Sequence, residues 1–355
     1  MRKINWAERA GVVFLLWTTT AVALPAQRIA NAPDVTFTTL HTFDNKDGSQ
    51  SDAALIQGTD GGFYGTESIG GANIPCSGGT GCGTVFNITP SGKLTFLSFN
   101  YTDGANPEAA LVQAPDGNFY GTAIFGGTYG SGNIFKITKS GVLTTIYSFC
   151  SQGGDNCADG LEPFAGLVRA TNGNFYGTTN YGGANTHGTV YKVTPSGALT
   201  TLYSFCAAAN CADGYSPNGV VEGADGNFYG TTFHGGVNAT CQGQTCGTVF
   251  KITPSGVLTT LHSFGGTDGE NPDGALIQAA DGNFYGTTLV GGANENEFCP
   301  YGCGTVFKIT SSGALTTLHS FSEADGSEPV AIIQATDNNF YGPMAELTMT
   351  EQFFR

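Results

Sequence analysis

Charge is scarce in this chain: only 12% of its residues are Asp, Glu, Lys or Arg, and just 13 are basic. Against 28 acidic residues they leave a net charge of −15, which repels phosphate backbones and anionic bilayers and so excludes a nucleic-acid partner. Apolar residues at 3.6-residue spacing are missing, which excludes helical repeats. Beyond residues 10–23 no segment is apolar enough to cross a bilayer. G-x-S-x-G, H-E-x-x-H and a phosphate loop in strand-to-helix context are absent as well. Glycine is plentiful instead, with 54 residues, about 15% of the chain and twice the usual share. Because 40% of residues are hydrophobic and 12% aromatic, this glycine signals neither disorder nor collagen but a folded, turn-rich, all-β chain.

Arg2, Lys3 and Arg9 precede an apolar run from Ala10 to Ala23 and small residues around Pro25, the layout of a signal peptide over residues 1–26 cleaved after Ala23 or Ala26. An uncleaved anchor helix is the alternative, opposed by the shortness of the run and by Thr18 to Thr20 within it. Cleavage deepens the net charge to −17 and leaves residues 27–355 as a single domain with no membrane span. That domain holds ten cysteines in five close pairs: Cys76 with Cys82, Cys150 with Cys157, Cys206 with Cys211, Cys241 with Cys246, and Cys299 with Cys303. In an exported chain such pairs read as disulfides that staple small loops, each stabilising by about 2 kcal/mol. Zinc would require C-x-x-C spacing and histidines in register, which these pairs lack.

Phe-Tyr-Gly recurs at Phe63, Phe119, Phe175, Phe228, Phe284 and Phe340, at separations of 56, 56, 53, 56 and 56 residues. Within one unit, Ala275 to Ala279 is an apolar strand ending at Asp281-Gly282, a dipeptide that favours a two-residue hairpin. Asn283 to Thr288 follows. Gly291-Gly292 and a variable loop lead to Gly304 to Thr310, Ser312-Gly313 turns the chain, and Ala314 to Phe321 forms a Thr- and Leu-rich fourth strand. Four antiparallel strands joined by short turns describe a β-propeller blade. A β-solenoid, with shorter repeats and parallel strands, fits less well.

Val35 to Phe43, VTFTTLHTF, copies the fourth strand Val257 to Phe264, VLTTLHSF, yet precedes the first full unit, whereas the last unit departs from the pattern after Gly342. The sequence therefore predicts six four-stranded blades, with strand 35–43 completing the last blade and Leu347 to Phe354 serving as its third strand. The unit DGNFYGTT…GG…GTVFKITPSG…LTTLHSF, over residues 35 to 342, resembles the Gloeo/Verruco (GloVer) tandem repeat of exported bacterial proteins, many described as choice-of-anchor repeat proteins. This resemblance implies a secreted or cell-surface protein.

Because a meander alternates its connections, the tight Asp-Gly and Ser-Gly turns share one face. The second-to-third loops and inter-blade linkers share the other, with all five cysteine pairs. Asp47, Asp103, Asp159, Asp213, Asp268 and Asp325 stand on that linker face, each before a glycine, joined by Glu108, Glu162, Glu270, Asp273 and Glu328. Turn chemistry accounts for the repeated Asp-Gly, and a carboxylate ring for Ca²⁺ or a cationic ligand is the functional alternative; no other cofactor is indicated. The aromatic residues Phe125, Tyr129, Phe164, Tyr181, Tyr215, Phe233, Phe298 and Tyr301 occupy the same face.

Six-fold repetition marks Phe-Tyr-Gly as core. His41, His262 and His319 share one fourth-strand slot with Tyr147 and Tyr203, a packing position. His187 and His234 are unique to their units, and Arg169 and Glu222 replace Gln57, Gln113, Gln278 and Gln334, which makes these four the candidates for catalysis or an axial ion pair. The reading that follows is a secreted binding propeller for an extracellular carbohydrate or protein. A carbohydrate lyase or glycosidase and a structural surface component are the alternatives.

Overall fold

The computed structural model describes residues 37–344, except 74, 75, 77, 78, 155, 239–245, 296 and 323, together with the backbone of residues 352–354. The expected signal peptide, Val35, Thr36 and Cys241 lie outside the described residues. The chain separates into residues 1–39, of which residues 37–39 carry no secondary structure, and a repeat body from Leu40 to Arg355.

In the body, 23 strands form six antiparallel sheets. The first contains β1 (Ile56–Gln57), β2 (Phe63–Glu67), β3 (Thr84–Ile88) and β4 (Leu94–Ser98). β5 (Val112–Gln113), β6 (Phe119–Ala123), β7 (Asn133–Ile137) and β8 (Leu143–Ser148) make the second; β9 (Val168–Arg169), β10 (Phe175–Thr179), β11 (Thr189–Val193) and β12 (Leu199–Ser204) the third. The fourth is built of β13 (Tyr215–Glu222), β14 (Phe228–His234), β15 (Thr248–Ile252) and β16 (Leu258–Ser263). The fifth has β17 (Ile277–Gln278), β18 (Phe284–Thr288), β19 (Thr305–Ile309) and β20 (Leu315–Ser320). The sixth has three strands, β21 (Ile333–Gln334), β22 (Phe340–Met344) and β23 (Gln352–Phe354). Each strand pairs with its sequence neighbour, as hairpin chemistry requires, and the turn glycines, Gly117 (φ +80°) and Gly141 (φ +81°) among them, take the left-handed conformation those turns need.

Phe-Tyr-Gly joins consecutive sheets. In the first five units the tyrosine lies on the phenylalanine of the next unit, with ring centroids 3.8 Å apart for Tyr64 and Phe119, 4.4 Å for Tyr120 and Phe175, 3.9 Å for Tyr176 and Phe228, 3.9 Å for Tyr229 and Phe284, and 4.3 Å for Tyr285 and Phe340. The glycine lets the third-strand aromatic cross: a methyl group at Gly286 would meet Phe307 at 2.7 Å. In the third unit that aromatic is Tyr191, whose hydroxyl is buried without a hydrogen-bond partner, and burial pushes its ionisation far up. Tyr191→Phe, the residue of the other units, is therefore expected to raise the unfolding free energy by about 1–2 kcal/mol in urea titrations; a loss would show that the hydroxyl is satisfied.

The two ends of the body differ from expectation. Residues 37–43 of the anticipated closing strand are not in a strand, and the last sheet has no fourth strand among the described residues. Leu40 to Phe43 nevertheless meet the first sheet as the fourth strands β8, β12 and β16 meet the sheets after them. A methyl group at Gly92 would lie 2.9 Å from the Leu40 carbonyl, as one at Gly256 would lie 2.5 Å from that of Leu202. Phe43 lies 4.9 Å from Phe86, as Phe205 lies 5.2 Å from Phe250. The register of β23 also repays inspection, since Phe354 pairs with Gly342, Phe353 with Pro343 and Gln352 with Met344, just as Phe307, Val306 and Thr305 pair with Gly286, Thr287 and Thr288. Gln-Phe-Phe is thus Thr-Val-Phe in another spelling. Tyr341 and Phe63 do not stack among the described residues, and Leu55 is 55% exposed where its counterparts Leu111, Leu167 and Leu276 are 5%, 7% and 2% exposed.

Candidate functional site

The linkers build the site. Pro107, Pro163, Pro217, Pro272 and Pro329 each pack their ring on the glycine that opens the preceding third strand, at 2.5–2.7 Å from a methyl group placed at Gly83, Gly132, Gly188, Gly247 or Gly304. This contact fixes the height at which the chain enters its first strand. The next residue then points to a cavity of about 850 Å³ shared by all six units, lined by Ala54, Ala110, Gly166, Gly219, Ala275 and Ala331 at equivalent positions. At its linker-side mouth the residues differ: Asp52, Glu108 and Asp273 come from units one, two and five, and Phe164 from unit three. Units four and six are one residue shorter here; unit four lines the cavity with Pro217 and Asn218, whereas Val330 of unit six does not line it. In unit four the linker continues into β13, with a register break between Pro217 and Val220, and Phe233, His234 and Tyr181 line the wall. The cavity has an acidic side and an aromatic side, and neither Lys nor Arg lines it.

Burial pushes the Glu108 carboxyl up to about 7, helped by the nearby Asp52 charge, and burial raises Asp273 too. Asp52 accepts a hydrogen bond from Ser68 Oγ at 2.6 Å. A carboxyl raised in the folded state favours folding below its unfolded value, near 4.5, and loses that contribution as pH rises through 7. Glu108→Gln should accordingly stabilise the protein at pH 8 by about 1–2 kcal/mol, allowing for water in the cavity, and leave it unchanged at pH 4. Equal urea midpoint shifts at the two pH values would refute this.

The six linker aspartates do not converge. Asp47, Asp268 and Asp325 accept from His41, His262 and His319 at 2.7 Å each, Asp159 and Asp213 from Tyr147 at 2.6 Å and Tyr203 at 2.8 Å, and Asp103 from Asn100. All six also accept a hydrogen bond from a backbone N–H of their own linker. Burial opposes ionisation of Asp268, but the bonds from His262 and the Gly265 N–H outweigh it and hold the carboxyl below its ordinary value. Asp159, Asp213, Asp268 and Asp325 thereby tie their linkers to their own fourth strands.

Arg169 and Glu222 form no ion pair among the described residues. Their slot is a strut between units: Gln113, Gln278 and Gln334 accept from the backbone N–H of Thr59, Ala224 and Ala280, residues of the preceding turn, at 3.0, 2.9 and 2.9 Å. Glu222 does the same with Thr171, through its N–H at 2.8 Å and hydroxyl at 2.7 Å. The turn facing Arg169 carries Pro115 at this position, which has no N–H to donate, so the acceptor there has no use. Tyr215 pairs with His234 at one end of β13 and Glu222 with Phe228 at the other, roughly 20 Å apart by strand rise. The structure therefore does not join Arg169 and Glu222 to the histidines. It does join His187 and His234 to each other through Tyr215, whose ring lies 5.3 Å from His187 and 4.9 Å from His234.

Four disulfides link Cys76 to Cys82, Cys150 to Cys157, Cys206 to Cys211 and Cys299 to Cys303; Cys246 is disulfide-bonded too. Among the predicted loop aromatics Phe125, Tyr129, Phe164, Tyr181, Phe298 and Tyr301 are exposed, and only Phe164, Tyr181 and Phe233 reach the cavity. Asp52 went unnoticed in the sequence because no proline precedes it; Ser51 holds that place.

Sheets that pack one on the next and send their first strands to a common cavity define a β-propeller-like repeat protein. The chain belongs to the Gloeobacter/Verrucomicrobia repeat family, whose model matches residues 29–161 and 155–350. Among solved structures it is similar to the hydrazine synthase of Kuenenia stuttgartiensis, at 13% identity and a TM-score of 0.52 over 86% of this chain and 77% of that one. A gluconolactonase from Xanthomonas campestris is similar at 12% identity and TM-score 0.48, over 85% of each chain. For a luciferin-regenerating enzyme the values are 13% and 0.47, over 85% and 86%. No protein of curated function matches the sequence.

Proposed function

We propose that this chain is an exported six-bladed propeller acting as a non-catalytic binding module, and that its axial cavity takes a neutral or amino-bearing sugar unit of an extracellular polysaccharide. The observation that carries this reading is the two-sided mouth. Phe164, Tyr181 and Phe233 offer ring faces against which a sugar ring stacks, while Asp52, Glu108 and Asp273 offer acceptors for its hydroxyl or ammonium groups. With no Lys or Arg in the lining, a uronate or sulfated sugar would meet unscreened negative charge. The separation of Glu222 from the histidines supports a binding role over a catalytic one. No helix of the described residues is long and apolar enough to cross a membrane, and the paired cysteines and N-terminal layout support export.

Closure of the ring by residues 35–43 against β23 belongs to the same proposal; the fourth-strand contacts of Leu40 and Phe43 and the third-strand register of β23 support it. A glycan array probed with the mature protein tests the binding role. Expected is retention of neutral or amino-sugar glycans, lost at least tenfold in Phe164→Ala; silence across all sugars from folded protein would overturn it.

A further inference from the structure

We propose that His187, Cys206 and Cys211 form a redox-gated site for a thiolate-seeking divalent cation of the zinc class. Cys206 lies two residues after β12, Cys211 ends a single 3₁₀ turn over Ala209–Cys211, and His187 stands just before β11. One ligand atom from each lies within 4.8 Å of the other two, the only such trio of His, Cys, Asp or Glu side chains among the described residues. No histidine joins the other three described bridges in this way.

The histidine holds one tautomer. Its Nδ1 hydrogen-bonds the Asn185 carbonyl, which places the ring proton on Nδ1 and leaves the lone pair on Nε2, and its edge rests on Tyr215. The cysteine loop is also held by hydrogen bonds that do not involve sulfur. Cys206 N–H donates to the Gly214 carbonyl, Cys211 N–H to that of Ala208 and Gly214 N–H to that of Cys211, while Asp213 accepts from the N–H groups of Ala207 and Ala208. All three side chains are half-buried, within reach of a small reductant.

While the sulfurs are bonded to each other they carry no thiolate charge and the site is closed. A dithiol opens it by exchange: two electrons pass to the protein disulfide, which becomes two thiols, and the reductant leaves as its own cyclic disulfide. A zinc ion then displaces the two thiol protons to solvent and gains two thiolates and one imidazole, with the fourth tetrahedral position free for water. The carboxylate of Asp213, held in the same loop, adds attraction for a cation.

The test titrates Co²⁺, then Zn²⁺, into the full mature chain, oxidised or reduced with a phosphine, following thiolate-to-cobalt charge-transfer absorption and far-ultraviolet circular dichroism. Expected for the reduced, folded protein is a tetrahedral cobalt spectrum that zinc abolishes; the oxidised protein should give none. His187→Ala should weaken cobalt binding by about tenfold or more. Cys206→Ser/Cys211→Ser should bind one equivalent fewer, which separates this loop from the other reduced pairs. The proposal is overturned if the reduced wild type unfolds, or if His187→Ala, which keeps every cysteine, binds cobalt as tightly as wild type.

Discussion

Tyr176→Ala is expected to remove about 4 kcal/mol of unfolding free energy, read from the urea midpoint. Tyr176 is fully buried, stacks on Phe228 of the next unit at 3.9 Å, and accepts a hydrogen bond from Asn172 at 2.9 Å. Around it Val190, Phe205, Val220, Phe250 and Ile252 are held by two different sheets, so a void there cannot be filled without moving one sheet against the other. The same change at Tyr341, which lies at the open end of the series, should cost less than about 1 kcal/mol. Equal losses at the two positions would show that the inter-unit stack contributes nothing special.

Deleting residues 35–43 from the mature chain should be nearly as costly, on the order of 3 kcal/mol, because Phe43 would no longer cover Phe86 and the pocket it lines with Leu40, Leu55 and Ile88 would lose one wall. Ring closure makes a second demand. Amide protons of Gln352 to Phe354 should exchange slowly in the intact chain and fast after the deletion, since the deleted strand would be their outer partner. If exchange in that segment is identical in the two proteins, the N-terminal strand packs on the first sheet without closing the ring.

Much of the fold was legible because it rests on local chemistry. Asp281-Gly282 makes a tight hairpin wherever it stands between two strand-like runs, so strand order and the sidedness of the loops follow from one unit and repeat in the rest. The spelling of the last third strand was not legible: Gln352 to Phe354 shares only a pattern of backbone pairing with Thr305 to Phe307, and pairing is set by the neighbouring strand. Arg169 and Glu222 were visible as departures from a repeated glutamine, yet their meaning lay across an interface. Glu222 answers a donor 51 residues away, and Arg169 faces a proline that has none.

The candidate site divides along the same line. Sequence placed the acidic and aromatic residues on the linker face, but could not tell which would reach the axis. That depends on the spacing after the linker prolines, one residue shorter in units four and six, and on how each linker packs, which together set the side chains that line the cavity. Strand period, turns and paired cysteines are properties of neighbours in the chain, and the amino-acid order alone determined them. The shared cavity, the struts between units and the meeting of His187 with Cys206 and Cys211 arise from packing between residues far apart in the chain, and only the tertiary structure decided them.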